Sequence, residues 1–232
     1  MKLGLFSDPH YSSHEVTCGN RYNSRSLGKI TDALEEFRAQ GCEMVICLGD
    51  LIDREEAHEK EIAHLERIAK VVNEKGMPFV SLMGNHDAFA FEPDEFYRVL
   101  GKPARPRTMQ FENAAFGFVD ACYFASGVHY TPGDDDWMDT YYPYAEALQR
   151  ELETLKGDLY VFMHQNIDPD IHVSHCLSNA EQMRKALEAC GRVKCVIQGH
   201  YHKGADNCVN GIRYLTLPAM CENDHALQVL DI

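Results

Sequence analysis

The sequence predicts an α/β fold with a largely parallel sheet at its core. Short apolar runs with the composition of buried strands alternate along the chain with amphipathic stretches of helical spacing. A polar cluster follows each of these apolar runs. Because parallel neighbours need a long crossover connection, strands separated by helices favour parallel pairing.

Five apolar runs, short and rich in Val, Ile and Phe, are predicted as buried strands. In chain order they are residues 3–6, 44–48, 79–83, 159–163 and 193–197. Helical periodicity predicts helices over residues 27–37, 62–72, 145–155 and 180–189. The glycines that lie just past these stretches, where glycine commonly ends a helix, are Gly41, Gly76, Gly157 and Gly191.

Two segments depart from this alternation. Residues 109–111 and 115–119 are typical of neighbouring strands with no helix between them. Near the end of the chain, residues 211–217 and 226–232 predict a meander, so that both segments supply strands to a second sheet. The polar, Gly- and Asp-rich stretch 131–139 is predicted as a loop.

Length, charge and cysteine content limit the classes of protein to which the chain can belong. With 232 residues and 45% hydrophobic side chains, the chain can bury one substantial core, and we expect one domain over residues 1–232. The formal charge of −14 argues against nucleic acid as a partner. No apolar run approaches the ~18 residues of a membrane span, so we expect a soluble, cytoplasmic protein without membrane contact. The nine cysteines, an odd number without CxxC spacing, are predicted to be reduced thiols.

The polar clusters carry the side chains that a pair of divalent metals would bind. They are Asp8-Pro9-His10, Gly49-Asp50-Leu51-Ile52-Asp53, Gly84-Asn85-His86-Asp87, His164 and Gly199-His200-Tyr201-His202. Carboxylate, amide oxygen and imidazole together suit manganese, iron or zinc, whereas an all-thiolate set is typical of structural zinc. Because ligands in open α/β sheets bind beyond the carboxyl ends of the strands, we expect the clusters to converge on a catalytic site.

The spacing within two clusters supports joint binding. Asp8 and His10 are two residues apart, as are His200 and His202, so extended backbone would project each pair to one side. Taken singly, such residues have commoner explanations: an aspartate after a strand often caps a helix, and a histidine such as His164 often packs in the core. Only the complete series favours a metal centre.

The series D-x-H, G-D-x-x-D, G-N-H-D, H and G-H-x-H resembles that of the calcineurin-like metallophosphoesterases, in order and complete, from residue 8 to residue 202. The resemblance implies a four-layer α/β/β/α sandwich of two mixed β-sheets flanked by helices. It also implies a dinuclear metal-dependent phosphohydrolase in which a metal-bridging hydroxide attacks phosphorus in-line. Such an enzyme acts on a small phosphate-containing substrate.

The resemblance assigns the ligands of two divalent metal ions, which Asp50 would bridge. The first ion would be held by Asp8, His10, Asp50 and His202, and the second by Asp50, Asn85, His164 and His200.

Three further residues of the clusters receive other roles. His86 is implied as the catalytic group that stabilises or protonates the leaving oxygen, and Asp87 as the carboxylate that orients its ring. Asp53 is expected to support its own loop through hydrogen bonds and not to bind metal.

The residues that bind the substrate are less defined. Arg21 could clamp a phosphate while Tyr22 stacks on a base, but both could equally belong to a solvated loop that leads into a helix. Trp137, Tyr141 and Tyr142 could form an aromatic platform or merely pack the adjacent loop.

A weaker resemblance connects the chain to the branch of the family that hydrolyses ADP-ribose and CDP-alcohols. It rests on Arg21-Tyr22, Ser26-Leu27, Cys176 and Asn179. The chain departs from the branch at Asp87, where the branch usually has Glu, and in being shorter between Gly84 and His164. A small phosphodiester or a nucleotide diphosphate is the expected substrate, with cyclic nucleotides and phosphomonoesters left open. The alternative is a non-catalytic scaffold or nucleotide-binding module on the same fold.

Overall fold

The computed structural model describes residues 1–102 and 104–232. Its strands are β1 (Lys2–Phe6), β2 (Met44–Cys47), β3 (Phe79–Ser81), β4 (Thr108–Gln110), β5 (Ala114–Val119), β6 (Asp158–Met163), β7 (Val193–Gln198), β8 (Ala205–Val209), β9 (Ile212–Thr216) and β10 (Gln228–Asp231). Its helices are α1 (Ser26–Ala39), α2 (His58–Lys75), α3 (Asn85–Ala90), α4 (Pro93–Val99), α5 (Ala145–Thr154) and α6 (Ala180–Ala189).

The strands form two mixed sheets. The four-stranded sheet has the order β10-β1-β2-β3, in which β1, β2 and β3 are parallel and β10 is antiparallel to β1. The six-stranded sheet has the order β4-β5-β6-β7-β9-β8. Its four central strands are parallel, and β4 and β8 pair antiparallel at its two edges.

Three apolar clusters separate four layers. Alternate residues of the strands, among them Leu5, Ile46 and Phe162, fill the space between the two sheets. On the outer face of the four-stranded sheet, α1 and α2 contribute side chains such as Phe37 to a second cluster. On the outer face of the six-stranded sheet, α5 and α6 contribute side chains such as Leu152 to a third. This is the expected α/β/β/α sandwich.

One part of the predicted topology is wrong. Residues 211–217 do supply β9 to the six-stranded sheet, but β10 joins the other sheet beside β1. The two C-terminal stretches therefore do not form a meander. Their hydrophobic pattern predicts that both are strands, but it does not encode which edge each strand will meet.

The topology places the polar clusters at one edge of the sandwich. They follow β1, β2 and β3 in the first sheet and β6 and β7 in the second. Because the strands within each of these two sets are parallel, their carboxyl ends lie side by side. Across the described residues, no helix is long and apolar enough to cross a lipid bilayer. All nine cysteines are free.

Candidate active site

The expected ligand side chains come from both sheets and meet where the two sets of strands end. Backbone hydrogen bonds join the loops that carry them: the Asp8 N–H donates to the Gly49 carbonyl at 3.1 Å, and the Gly199 N–H donates to the His164 carbonyl at 2.9 Å. The side chain of His202 is 15% exposed, and the other six are buried. The folded chain thus brings all seven residues together.

One group of these side chains surrounds the ring nitrogens of His10 and His202, whose Nε2 atoms lie 3.3 Å apart. His202 Nε2 is 3.4 Å from Asp8 Oδ1, and His10 Nε2 is 3.5 Å from Asp50 Oδ2. Two imidazole nitrogens and two carboxylate oxygens therefore face a common point.

A second group surrounds His164. Its Nε2 atom lies 3.2 Å from Asn85 Oδ1, 3.3 Å from His200 Nδ1 and 3.2 Å from Asp50 Oδ2. The same oxygen of Asp50 thus approaches an imidazole of each group. Asp50 stands between the two groups, which is the placement that a bridging carboxylate needs.

The backbone at these positions is unusual. Asp8, His10, Asp50 and His200 have φ values of 54°, 47°, 53° and 64°, in the left-handed region. For residues with a Cβ this region costs on the order of 1 kcal/mol each, and such residues concentrate at functional sites. The expectation that extended backbone aims the D-x-H and H-x-H pairs is therefore wrong, because left-handed residues begin both pairs.

Glycines allow the loops to approach one another closely. A Cβ atom on Gly84 would collide with the carboxylate of Asp50, and one on Gly199 would collide with Ser7 and Asp8. The glycines of the G-N-H-D and G-H-x-H clusters are thus needed because side chains of the site occupy the space of their missing Cβ.

The buried carboxylates keep their charge. Burial would raise the pKa of Asp50, but His164 and His86 outweigh this effect and hold the pKa well below its ordinary value. The pKa of Asp8 is lowered in the same way, since burial is opposed by His164 and by the nearby rings of His10 and His202. Two neighbouring charged carboxylates in a buried site require compensating positive charge.

The histidines of the site differ in their pKa, and one of them supplies the positive charge that the two carboxylates require. Burial would lower the pKa of His164, but Asp50 and Asp8 raise it to about 9, so that this ring carries the compensating proton. Burial and the neighbouring His86 lower the pKa of His10 to about 4. Burial and His164 likewise lower the pKa of His200 well below its usual range. His10 and His200 are therefore neutral at pH 7, which is the form that binds metal.

The donor set fits two divalent cations. Asp8 Oδ1 is buried and has no hydrogen-bond partner, although imidazole nitrogens lie 3.4 Å and 3.7 Å away. Asp50, His164 and His200 offer ligand atoms within 4.8 Å of one another. A cation at the centre of each group would satisfy these lone pairs. It would also compensate the charge of the carboxylates, which the proton on His164 does in the metal-free site. Nitrogen and oxygen donors of this kind suit manganese, iron or zinc.

The structure corrects the expected partner of His86. His86 Nδ1 lies 2.8 Å from Asp53 Oδ1, and Asp87 does not contact the ring. Asp87 instead accepts backbone N–H groups from Leu51, Ile52 and Gly84 at 3.2, 3.2 and 3.0 Å. Burial and the nearby Asp50 raise the pKa of Asp87 to about 7. Asp87 follows His86 in sequence, but the first turn of α3 directs its carboxylate back to the loop after β2.

Asp53 also has the supporting role expected of it. Its carboxylate accepts hydrogen bonds from Asn23 Nδ2 at 2.9 Å, from Thr17 Oγ1 at 3.2 Å and from the Arg54 N–H at 2.9 Å. Burial would raise the pKa of Asp53, but hydrogen bonding and charge interaction with His86 hold it well below its ordinary value. The carboxylate that orients His86 is therefore itself held by three other donors.

A cavity of about 560 Å³ opens above the ligands. Besides four of the expected ligands, its wall includes Arg21, Arg54, Trp137, His175, Tyr201 and Lys203. Tyr22 is not part of this wall, and its ring lies 4.7 Å from the guanidinium carbon of Arg25. Of the three aromatic residues expected to form a platform, Trp137 lines the cavity and Tyr142 lines a different one. Arg21 and Trp137 thus line the cavity and Tyr22 does not, and the contacts of all three with a substrate stay predictions.

Sequence reasoning missed several residues of the site. Arg54 directly follows the G-D-x-x-D cluster, and this proximity is a signal that could have identified it. His175 and Glu222 lie in separate loops with no motif around them, so only the fold brings them to the cavity.

Comparison with known proteins is consistent with this geometry. A family model described as calcineurin-like phosphoesterase matches residues 1–204. A probable cyclic nucleotide phosphodiesterase from Psychrobacter arcticus is 23% identical over 229 residues, which cover 93% of this chain and 74% of the relative. A dimetal phosphatase from Danio rerio has a similar fold, with a TM-score of 0.82 at 17% identity over 99% of this chain and 91% of that one. For a putative 5′-nucleotidase from Staphylococcus aureus the TM-score is 0.61 at 16% identity, over 94% of this chain and 48% of that one.

Proposed function

Because the chain belongs to the calcineurin-like phosphoesterases, we propose that it hydrolyses small phosphodiesters of the nucleotide type with the help of two divalent metal ions. The observation that carries the proposal is the position of Asp50. Its Oδ2 atom lies 3.5 Å from His10 Nε2 and 3.2 Å from His164 Nε2. A carboxylate that stands between two groups of donors can bridge the two ions of a two-metal phosphoryl-transfer site.

The two groups of side chains are assigned to the two ions. Asp8, His10, Asp50 and His202 would hold one ion, and Asp50, Asn85, His164 and His200 would hold the other. When bound, manganese, iron or zinc ions would supply an activated water as nucleophile and neutralise charge on the phosphoryl oxygens.

His86 is proposed to act on the leaving group. Its Nδ1 atom is occupied by Asp53, and its side chain lines the cavity, so Nε2 is the nitrogen available to a substrate. A hydrogen bond from Nε2 would stabilise or protonate the departing oxygen. Since His86 also lies with His10 and Asp50 within 4.8 Å, metal content has to be measured in any test of this role.

The preference for nucleotides is proposed from the aromatic wall of the cavity. The ring of His175 lies 5.6 Å from Trp137 and 5.0 Å from Tyr201, measured between centroids. Trp137 also lies 5.7 Å from the ring of His200. A nucleobase could pack against this wall while its phosphate reaches the two groups of ligands. The name of the relative from Psychrobacter arcticus, a probable cyclic nucleotide phosphodiesterase, supports the same choice.

Cationic side chains on the cavity wall suit the phosphate of such a substrate. Arg54 pairs with Asp135 and lies over the ring of Phe89, with 3.7 Å from its guanidinium carbon to the ring centroid. Arg21 Nε lies 3.9 Å from Glu222 Oε1. Because both arginines are partly exposed beside the cavity, a substrate phosphate could compete for them without desolvating an unpaired charge.

A cytoplasmic location is part of the proposal and is supported by the free cysteines.

The test is a hydrolysis screen with metal-stripped protein. The protein is reloaded separately with manganese, iron or zinc and assayed against phosphomonoesters, phosphodiesters, nucleoside diphosphate compounds and cyclic nucleotides. We expect turnover only after reloading, with nucleotide phosphodiesters preferred. Asp50→Ala should abolish turnover, whereas Asp32→Ala on the exposed face of α1 should not.

The screen also distinguishes the alternative. A scaffold or a nucleotide-binding module on this fold would bind metal or nucleotide but hydrolyse none of the compounds. Tight nucleotide binding without turnover under any of the three metals would therefore overturn the proposed function.

A further inference from the structure

The ring of His202 is held at both of its nitrogens. Nε2 faces the first group of ligands, 3.3 Å from His10 Nε2 and 3.4 Å from Asp8 Oδ1. Nδ1 lies 2.5 Å from Glu222 Oε1. A carboxylate at Nδ1 selects the tautomer that carries its proton there, which leaves the lone pair of Nε2 directed at the other ligands.

This arrangement distinguishes His202 from the other ligand histidines. The far nitrogen of His164 donates to the backbone carbonyl of Leu48 at 3.1 Å. The corresponding nitrogens of His10 and His200 have no partner among the described residues. Within that part of the chain, His202 is therefore the ligand histidine whose far nitrogen meets a carboxylate.

The other oxygen of Glu222 holds a loop of the cavity wall. It accepts a hydrogen bond from Asn20 Nδ2 at 2.8 Å. Asn20 lies in the turn that is closed by the paired backbones of Thr17 and Arg21, and Arg21 lines the cavity. One carboxylate thus contacts both a ligand histidine and the loop that carries Arg21.

The backbone on either side of Glu222 fixes its position. The Ala219 N–H donates to the His202 carbonyl at 3.0 Å, and the Cys221 N–H donates to the Asp8 carbonyl at 3.1 Å. The Cys221 carbonyl in turn accepts the Tyr22 N–H at 3.0 Å. The segment that carries Glu222 is therefore bound to both of the structures that its carboxylate connects.

We propose that Glu222 is a positioning residue that orients His202 for metal binding and couples this ligand to the substrate-facing loop at Arg21. The inference rests on the proposed function. It extends that function to a residue that the family model does not cover, since the model matches residues 1–204. A carboxylate behind a ligand histidine also raises the basicity of the ring. Its loss typically weakens metal binding by about 10- to 100-fold.

Metal retention tests the first half of the proposal. The manganese-loaded full-length protein is dialysed against graded chelator, and the manganese left per chain is measured for wild type, Glu222→Ala and Glu222→Gln. We expect one of the two ions to be lost at about 10- to 100-fold lower chelator from Glu222→Ala. Glu222→Gln should lose this ion at a chelator concentration between those of Glu222→Ala and the wild type, because its amide oxygen can still accept the proton of Nδ1.

Two further variants separate the contacts of Glu222. Asn20→Ala keeps the contact with His202, so it should retain both ions but raise KM for bis(4-nitrophenyl) phosphate. Glu188→Gln alters a carboxylate that accepts a similar hydrogen bond from Asn210 outside the cavity, and it should change neither quantity.

The metal-retention test of Glu222 is independent of catalysis. Wild-type manganese retention in Glu222→Ala would overturn the proposal. So would equal loss of both ions together with a lower melting temperature, since that pattern indicates a purely structural role. An unchanged KM in Asn20→Ala would overturn the coupling to the loop through Asn20. If the wild type holds manganese but hydrolyses nothing, the proposed function fails while the retention test of Glu222 still stands.

Discussion

The Nδ1 atom of His86 lies 2.8 Å from Oδ1 of Asp53, a residue 33 positions earlier in the chain. This contact assigns the orientation of the proposed leaving-group histidine to Asp53 and not to its sequence neighbour Asp87. Because Asp53 is also held by Asn23 and Thr17, the imidazole is attached to a rigid part of the loop after β2. The roles of His86, Asp53 and Asp87 can therefore be tested by replacing each residue separately.

Replacement of His86 should change the rate without removing metal. We expect His86→Asn to retain both metals while kcat falls by on the order of 10² to 10⁴ for an alkyl or sugar phosphate ester, whose leaving oxygen needs a proton. The loss should be far smaller for a nitrophenyl ester, because nitrophenolate departs unprotonated. Asp53→Asn should show the same dependence on leaving group in weaker form.

Metal content and rates on one ester of each kind check this prediction. Loss of a metal from His86→Asn would identify His86 as a ligand. Equal rate losses for the two esters would contradict a role in proton transfer and indicate that the ring stabilises the phosphoryl oxygens instead.

Asp87 should matter for stability and not for the leaving group. Its buried carboxylate accepts three backbone N–H groups, which Asp87→Ala would leave without an acceptor. We expect this variant to lower the free energy of unfolding by about 3 kcal/mol, as typical for buried polar groups that lose their partner. Chemical denaturation measures the change, with Asp32→Ala on the exposed face of α1 as control. A denaturation midpoint equal to that of the control would contradict the structural role.

The affinity for metal should rise with pH. The pKa of His164 is raised from 6.5 to about 9 by Asp50 and Asp8 against the effect of burial, so the metal-free site carries this proton at neutral pH. In the metal-free protein, the resulting stabilisation is fully present below pH 6.5 and is lost as the pH rises through 9. Metal has to displace the proton, so we expect apparent affinity to increase by up to about tenfold per pH unit between neutral pH and pH 9.

Calorimetric titration with manganese in buffers of different ionisation enthalpy checks this prediction, because it reports the protons released on binding. A release close to one proton at pH 7.5 is expected. Affinity that stays constant between neutral pH and pH 9, with no proton released, would contradict the assignment of His164 as a ligand. Activity should likewise be lost in acid, where protons compete for the histidine ligands.

The single tryptophan of the chain, Trp137, should report the binding of a base. If a nucleobase packs against this ring, AMP should quench its fluorescence and ribose 5-phosphate, which carries the same phosphate without a base, should not. The titration needs no turnover and can be done with the metal-loaded protein. Trp137→Ala should raise KM for a nucleotide phosphodiester more than for glycerophosphocholine. Identical quenching by the two ligands would count against the aromatic wall as a base site.

The sequence by itself determined most of the strands and longer helices and which polar clusters meet at one site. Periodicity identified the strands that become β1, β2, β3, β6 and β7 and the longer helices, since apolar spacing reports which face of an element is buried. The ordered clusters matched the series of the calcineurin-like metallophosphoesterases, and this resemblance predicted seven metal ligands. These residues do converge, as the distances around Asp50 show.

The tertiary structure decided what depends on partners distant in the chain. β10 pairs with β1 and not with β9, because β7 and β8 already occupy both sides of β9 in the packed sandwich. Asp53 contacts His86, and Glu222 contacts His202, across intervals of 33 and 20 residues along the chain. The left-handed backbone of Asp8 and Asp50 is likewise held by surrounding contacts, since neither residue prefers that conformation in isolation.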